Sequence, residues 1–197
     1  MLKIGITGGI GTGKSTVCKL FNLLNIPSID ADKVAKKLLS ENELIKTQII
    51  ALFGSEAYVE DKLNNAWIAS KTFSDPKMRE QLNAIVHPPT IAYMNDWFEM
   101  HKKQNLPYVI KEAAIMIETG SYKEMDLIIG VQAPMLLRIQ RIQLRNQWTV
   151  EEVESRMNAQ MAENLKATYY DFTILNDEQS SLIQQVAKTH QRILNKI

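Results

Sequence analysis

The sequence of 197 residues has little cysteine, little net charge and no long uncharged apolar run. Its single cysteine, Cys18, excludes an internal disulfide and fits a reducing compartment. With 23 basic and 22 acidic side chains the net charge is +1, so the excess of positive charge typical of nucleic-acid-binding domains is missing. No apolar stretch approaches the roughly 18 residues that span a bilayer. We therefore expect no nucleic-acid partner and no membrane segment.

Secretion is not expected either, because a predicted strand begins at Leu2 and leaves no space for a leader peptide. We expect a cytoplasmic protein. Hydrophobic residues make up 45% of the chain, which is enough for a core. The length favours one domain, with room for a small insertion.

The most informative stretch is Gly8-Gly9-Ile10-Gly11-Thr12-Gly13-Lys14-Ser15. It matches the phosphate-binding loop, a glycine followed by four residues and then Gly-Lys-Ser. A short apolar strand over 2–7 precedes it, and helical spacing of apolar residues over 15–24 follows it. Strand, glycine loop and helix form the setting in which this motif binds phosphate, whereas a plain glycine-rich turn would not need that setting. The stretch predicts a nucleoside triphosphate site.

The residue types of the loop each suit a task in binding phosphate. Glycines let backbone N–H groups approach phosphate oxygens closely, and the helix N-terminus adds partial positive charge. Lys14 is expected to reach the β- and γ-phosphates of ATP, and the Ser15 hydroxyl is expected to hold Mg²⁺.

Further apolar segments alternate with helical patterns along the chain. This alternation predicts an α/β fold with a five-stranded parallel sheet flanked by helices. Between the second and third strands, residues 33–104 are almost entirely helical and predict a helical substrate-binding lobe, so the core is expected over about 1–32 and 105–197. The predicted strands are 2–7, 26–29, 107–110, 126–131 and 172–175.

Several local features of the lobe and the later helices can be predicted. Ser40 to Glu43 has the spacing of a capping box, and so has Thr149 to Glu152. A helix is expected to start at Ser74-Asp75-Pro76 and to break at His87-Pro88-Pro89. Residues 55–66 lack periodicity and predict a loop.

Acidic side chains follow two of the predicted strands. Asp30 and Asp32 come after the second strand, and on an extended segment one of them would face the site and the other the scaffold. An aspartate near the transferred phosphate can accept a proton from an attacking hydroxyl, although aspartate is also common in turns. Glu112 follows the third strand, where a carboxylate can assist Mg²⁺ or can simply lie at the surface. Glu118 is weaker evidence.

Basic residues recur at helical spacing further on. Arg138, Arg141 and Arg145 lie at i, i+3 and i+7. Arginines that close over a triphosphate neutralise its charge, while the alternative is a solvated basic face. His87 either contacts a substrate or caps its helix.

These segments together resemble the dephospho-coenzyme A kinase family over nearly the whole chain. The opening over 6–16 is similar, including the Thr-Gly-Gly-Ile-Gly that the general motif does not require. Ile29-Asp30-Ala31-Asp32 resembles a second signature, and the Leu-Asn and His-Pro elements over 82–88 resemble a third. The spacing from Gln160 to Lys166, followed by a strand and Asn176, resembles the C-terminal pattern.

The resemblance implies a fold like that of the nucleoside monophosphate kinases, with a lid over about 138–165. It implies transfer of the ATP γ-phosphate to the ribose 3′-hydroxyl of dephospho-coenzyme A, with Mg²⁺. We expect a monomer or weak oligomer. Asp32 would be the base, with Lys14 and Arg141 also catalytic. Further implied contacts are Gly11, Thr12, Gly13, Lys14, Ser15, Thr16, Arg145 and Asn176 for ATP, and Asp32, His87, Glu112 and Glu118 for the substrate.

The chain departs from the family pattern at two places. After the third strand the family usually has Asp-x-Pro-Leu-Leu, and this chain has Glu112-Ala113-Ala114-Ile115-Met116. Near Asn65 the family usually has an arginine that is missing here. Two alternatives stay open: a kinase of another small acceptor, such as a nucleoside monophosphate or shikimate, and a nucleotide-dependent switch with no acceptor.

Overall fold

The computed structural model describes residues 1–72 and 75–197. The chain divides into two compact units, the first formed by Met1–Asp30 with His101–Ile197 and the second by Ala31–Met100. The predicted helix start at Ser74-Asp75-Pro76 lies partly outside the described residues, since Ser74 is not among them.

Strands and helices alternate in the first unit, and helices dominate the second. The strands of the described residues are β1 (Leu2–Thr7), β2 (Ser28–Asp30), β3 (Tyr58–Val59), β4 (Lys62–Leu63), β5 (Tyr108–Glu112), β6 (Leu127–Gln132) and β7 (Phe172–Leu175). The α-helices are α1 (Lys14–Leu23), α2 (Ala31–Glu41), α3 (Glu43–Phe53), α4 (Asn65–Thr72), α5 (Pro76–Lys102), α6 (Met135–Asn146), α7 (Val150–Asn158), α8 (Glu163–Ala167) and α9 (Leu182–Leu194).

The first unit is built on a parallel sheet of five strands in the order β2-β5-β1-β6-β7. The central strand β1 pairs with β5 on one side and with β6 on the other. Its apolar residues Ile4 and Ile6 are fully buried, as expected for a parallel strand covered on both faces. The predicted five-stranded parallel sheet flanked by helices is confirmed.

The second unit has its own apolar core. Residues of α3, α4 and the connection between them form it: Ile45, Ile49, Phe53, Ala57 and Ile68. The predicted loop over 55–66 is wrong in part, because it contains a short 3₁₀ turn, the antiparallel hairpin of β3 and β4, and the start of α4.

One predicted helix start of the second unit is also wrong. The capping box at Ser40 does not form, because Ser40 remains inside α2 and its hydroxyl donates to the carbonyl of Lys37. Asn42 has extended backbone instead, and its side chain accepts the N–H of Ile45, so Asn42 caps α3. The capping box of Thr149 and Glu152 in the first unit is confirmed.

Helix α5 does not break at His87-Pro88-Pro89, contrary to the prediction. It continues as one α-helix of 27 residues with both prolines inside. Val86, Met94 and Phe98 are all buried along it, so packing favours continuation over the usual cost of proline. The φ of proline is itself compatible with a helix. In the described part of the chain, no helix has both the length and the apolar character needed to cross a bilayer.

Candidate active site

The glycine loop lies between the end of β1 and the start of α1, at the carboxyl edge of the sheet. Gly13 is the N-cap of α1 and has left-handed backbone, with φ 91° and ψ 25°. A Cβ at this position would collide with the side-chain amide of Asn176. Only glycine therefore fits at the point where the loop turns into the helix, and the N–H groups of the first turn of α1 are directed towards the loop.

Lys14 and Thr12 are both tied to the backbone of the loop. The ammonium of Lys14 donates to the carbonyls of Gly8 at 3.0 Å and Gly9 at 3.2 Å. The buried hydroxyl of Thr12 donates to the carbonyl of Gly9 at 3.0 Å. A cation thus lies across the loop, whose following helix presents the exposed side chains of Ser15 and Thr16.

Asn176, the residue directly after β7, also contacts the glycine loop. Its side-chain amide donates to the carbonyl of Thr12 at 2.9 Å. Arg141 in α6 donates through Nη2 to the backbone carbonyl of Asn176 at 3.2 Å and to Glu178 at 2.9 Å. Its other nitrogen, Nη1, is buried and has no hydrogen-bond partner among the described residues. A buried guanidinium donor without a partner, next to a phosphate loop, fits an anionic or nucleotide ligand.

The three arginines predicted to share one face have different contacts. The side-chain Nε of Arg138 donates to the carbonyl of Ile10 at 2.9 Å, and its guanidinium occupies the space that a Cβ on Gly9 would need. Arg145 is exposed and donates to Asn146. Burial lowers the pKa of Arg138, and the negative charge of Glu163 opposes that shift. The sequence named Arg138 only as a member of the periodic set, and the family resemblance gave it no role of its own.

Two carboxylates lie side by side at the ends of β2 and β5. Asp30 and Glu112 are register partners across the two strands. Strand β5 extends two residues beyond its predicted end, so Glu112 is the last residue of the strand and is buried. The buried thiol of Cys18 in α1 has its pKa raised by burial, by the charge of Glu112 and by a hydrogen bond to Glu112. The thiol is therefore protonated, and it faces the Glu112 carboxylate from α1, the helix that follows the glycine loop.

Glu118 forms an ion pair with a fully buried lysine. The distance from Lys166 Nζ to Glu118 Oε1 is 2.8 Å, and the Glu118 side chain is 21% exposed. Burial alone would raise the pKa of Glu118, but hydrogen bonds from Lys166 and from the backbone of Met161, with the lysine charge, hold it below its usual value. Lys166 also donates to the carbonyl of Ala114. These contacts connect the segment after β5 with the connection between α7 and α8.

Asp32 and His87 belong to the second unit. Asp32 lies in the first turn of α2 and is exposed, so the prediction of an extended segment from Asp30 to Asp32 is wrong. The helix begins two residues earlier than predicted, and an acidic side chain in its first turn is favourable for the helix dipole. His87 is exposed in the middle of α5 and caps no helix.

Gln160, which the sequence indicated only as part of a spacing pattern, contacts the phosphate loop. Its Oε1 accepts the N–H of Ile10 at 2.9 Å.

Within residues 1–72 and 75–197, no group of three or more His, Cys, Asp or Glu side chains is arranged to hold a metal ion. Ser15 is the predicted magnesium ligand; a single hydroxyl suits Mg²⁺ only when phosphates and waters complete the shell.

Comparison with known proteins finds matches to one family, and these matches extend over most or all of the chain. The family model described as dephospho-CoA kinase matches residues 2–181. A dephospho-CoA kinase of Bacteroides fragilis is 33% identical over 196 residues, covering 100% of this chain and 95% of the relative. One of Bacillus anthracis is 34% identical over 175 residues, covering 88% of each.

Several solved structures are also similar to this chain over nearly its full length. TT1252 of Thermus thermophilus is 30% identical with a TM-score of 0.84, over 100% of this chain and 97% of its own. The dephospho-CoA kinase of Campylobacter jejuni is 27% identical with a TM-score of 0.72, over 98% of both chains. A shikimate kinase of Acinetobacter baumannii, at 18% identity and a TM-score of 0.54 over 100% of this chain and 94% of its own, shares the fold. This chain belongs to the dephospho-CoA kinase family.

Proposed function

We propose that this protein transfers the γ-phosphoryl group of ATP to the ribose 3′-hydroxyl of dephospho-coenzyme A, the last step of coenzyme A synthesis. The observation that carries the proposal is the glycine loop between β1 and α1, held in shape by Lys14, Thr12 and Asn176 in a chain of this family. Phosphoryl transfer needs little covalent chemistry from the protein. Positioning and charge neutralisation supply most of the catalysis.

The phosphate side of the reaction depends on fixed donors. Lys14 now donates to two loop carbonyls, and these contacts keep its ammonium over the loop, where a triphosphate would replace them. Arg141 has an unused buried nitrogen and can neutralise charge or contact the nucleotide. Exposed Arg145, which donates to Asn146 here, would join it when the predicted lid over 138–165 closes and excludes water. Asn176 is proposed to lie near the adenine.

Mg²⁺ would be held by the Ser15 hydroxyl, and when bound it would neutralise charge on the β- and γ-phosphates. Ser15 is exposed in the first turn of α1, which fits a ligand shared with phosphates and water. Buried Glu112 can orient that shell. The protonated thiol of Cys18 faces this carboxylate, whose charge helps to raise the pKa of the thiol.

On the acceptor side, Asp32 is the proposed general base for the 3′-hydroxyl. Its position in the first turn of α2 leaves the carboxylate exposed and able to accept a hydrogen bond from a bound substrate. His87, on the exposed surface of α5, is the second proposed acceptor contact. A cytoplasmic location and a monomeric or weakly oligomeric state remain predictions.

The test is ADP release from ATP and Mg²⁺ with dephospho-coenzyme A, AMP, UMP or shikimate as the acceptor, each against a reaction without acceptor. We expect strong stimulation by dephospho-coenzyme A alone. Phosphorus NMR or mass spectrometry of the product then establishes which hydroxyl is phosphorylated. Stimulation by a different acceptor would contradict the proposed substrate and keep the ATP site, while slow hydrolysis that no acceptor stimulates would indicate a nucleotide switch.

A further inference from the structure

Ile10, at the tip of the glycine loop, is held by three contacts from the second half of the chain. Its N–H donates to Gln160 Oε1 at 2.9 Å, and its carbonyl accepts from Arg138 Nε at 2.9 Å. Its side chain packs against an apolar cluster of α6, α7 and the turn between them: Ile139, Ile142, Trp148, Val153 and Met157. Both polar groups of one residue of the loop are therefore satisfied by side chains that are 150 and 128 residues away in the sequence.

The orientation of the Gln160 amide follows from its partner. A backbone N–H can only donate, so the oxygen of the amide must face Ile10. Arg138 can only donate, and it faces the carbonyl. Gln160 thus supplies the acceptor that the N–H of Ile10 needs, and Arg138 supplies the donor that its carbonyl needs.

Gln160 itself is fixed by the neighbouring ion pair. The next residue, Met161, donates its N–H to Glu118 Oε1 at 3.1 Å, and Glu118 pairs with buried Lys166. Lys166 in turn donates to the carbonyl of Ala114, two residues after the end of β5. The connection between α7 and α8 is therefore attached to the loop at one residue and to the sheet at the next.

We propose that Gln160 is a positioning residue for ATP, which keeps the tip of the phosphate loop in the conformation that accepts phosphate. A loop with glycines at 8, 9, 11 and 13 has many accessible conformations, and every one that is lost on binding weakens affinity. Gln160 and Arg138 remove that freedom before ATP arrives. The kinetic part of this inference rests on the proposed kinase function.

The test compares Gln160→Met, which keeps the length of the side chain and removes the acceptor, with Gln160→Glu, which keeps an acceptor oxygen. Gln140→Met is the matched control, because Gln140 is exposed on α6 in the same part of the protein. ATP affinity is measured by calorimetry without acceptor, and amide exchange of Ile10 by NMR without ATP. The amides of Ile4 and Ile6 in β1 report any loss of global stability.

We expect Gln160→Met to weaken ATP binding by about 5–30-fold, because the released tip of the loop must be ordered again when ATP binds, at a cost comparable to one lost hydrogen bond. We expect it to raise the exchange rate of the Ile10 amide by about tenfold, with Ile4 and Ile6 unchanged. Gln160→Glu should keep Ile10 protected, and Gln140→Met should change neither quantity. In turnover, the KM for ATP should rise in Gln160→Met while the KM for dephospho-coenzyme A stays the same.

An ATP affinity of Gln160→Met within twofold of the wild type, or tighter than it, would overturn the proposal. Tighter binding would mean that Gln160 occupies a donor that the nucleotide needs. Because affinity and exchange are measured without acceptor, they remain informative if wild-type protein fails to phosphorylate dephospho-coenzyme A. That failure would count against the proposed function and leave the role of Gln160 to be decided by ATP binding alone.

Discussion

The two units of the molecule differ in what they bury. Within residues 1–72 and 75–197, every buried polar or charged side chain belongs to the first unit, and the core of the second unit is apolar. The predicted acceptor contacts of the second unit, Asp32 and His87, are exposed. Buried polar networks fix geometry at the cost of desolvation. The comparison teaches that the unit with the glycine loop is held by buried polar contacts, whereas the predicted acceptor contacts lie on the surface of a unit with an apolar core. The buried polar set is Thr7, Thr12, His101, Lys111, Glu112, Lys166 and Thr189.

The strongest test of the organised first unit is Lys14→Ala. This change removes the ammonium that donates to the backbone carbonyls of Gly8 and Gly9. We expect kcat/KM for ATP to fall by about 10³–10⁵-fold, the range found for cationic groups that stabilise the transferring phosphoryl. Steady-state kinetics measures it. Lys19→Ala, an exposed position on the same helix, is the control and should retain activity. A loss below tenfold in Lys14→Ala would show that the loop does not hold the reacting phosphates.

Asp32→Asn tests the second unit in the same way. Loss of a general base is expected to lower kcat by about 10²–10⁴-fold. Because the proposed base acts on the hydroxyl of the acceptor and not on ATP, ATP affinity should remain within a few-fold of the wild type. Calorimetry with ATP and turnover with dephospho-coenzyme A separate the two effects. Asp96→Asn, at an exposed position of α5, is the control. Unchanged turnover in Asp32→Asn would remove this residue from the base role.

Local sequence signals predicted much of the first unit and less of the second. The glycine loop, the five strands and the cap at Thr149 follow from patterns within a few residues. The continuous α5 was missed because a proline pair usually ends a helix, and only the packing of this unit overrides that tendency. The cap at Asn42 was missed because Ser40 offered an equally good local pattern.

The contacts of Arg138 and Gln160 with Ile10 could not be read from local patterns, because they join segments that are far apart in the chain. Periodicity placed Arg138 on a face shared with Arg141 but could not say which of them reaches the loop. Glu118 was predicted as a substrate contact, and the structure places it in an ion pair with Lys166. Its substrate role therefore stays a prediction beside a structural role that the structure adds.

The difference in burial also predicts different costs for breaking an ion pair in each unit. Glu118→Gln leaves the fully buried ammonium of Lys166 without its counter-charge. We expect the free energy of unfolding to fall by about 3 kcal/mol, the lower end of the range for buried pairs, because Glu118 is partly exposed. Urea denaturation measures the loss. The double variant Glu118→Leu, Lys166→Met should recover more than half of it, since no buried charge remains.

The matched change in the second unit is Asp61→Asn, which breaks the ion pair between Lys46 and the 89% exposed Asp61. Water screens this pair, so its loss should produce no resolvable change in the urea midpoint. Asn also tolerates the left-handed backbone of residue 61. Equal destabilisation by Glu118→Gln and Asp61→Asn would contradict the difference between the two units.

The charge of Glu118 also predicts a dependence of stability on acid. The pKa of Glu118 in the folded protein lies below its ordinary value of 4.5, because contacts with Lys166 and Met161 outweigh the effect of burial. A carboxylate with a lowered pKa contributes stability above its unfolded-state value, and that contribution is lost as the pH falls towards the folded-state value. Between pH 7 and 5 the free energy of unfolding of the wild type should therefore be insensitive to Glu118, and below about pH 4.5 it should fall more steeply than that of Glu118→Gln. Urea denaturation at pH 7, 5, 4 and 3.5 gives the two curves. If they run parallel below pH 4.5, the carboxylate of Glu118 is not held in its charged form by the buried lysine, and the organisation inferred for this part of the first unit is incorrect.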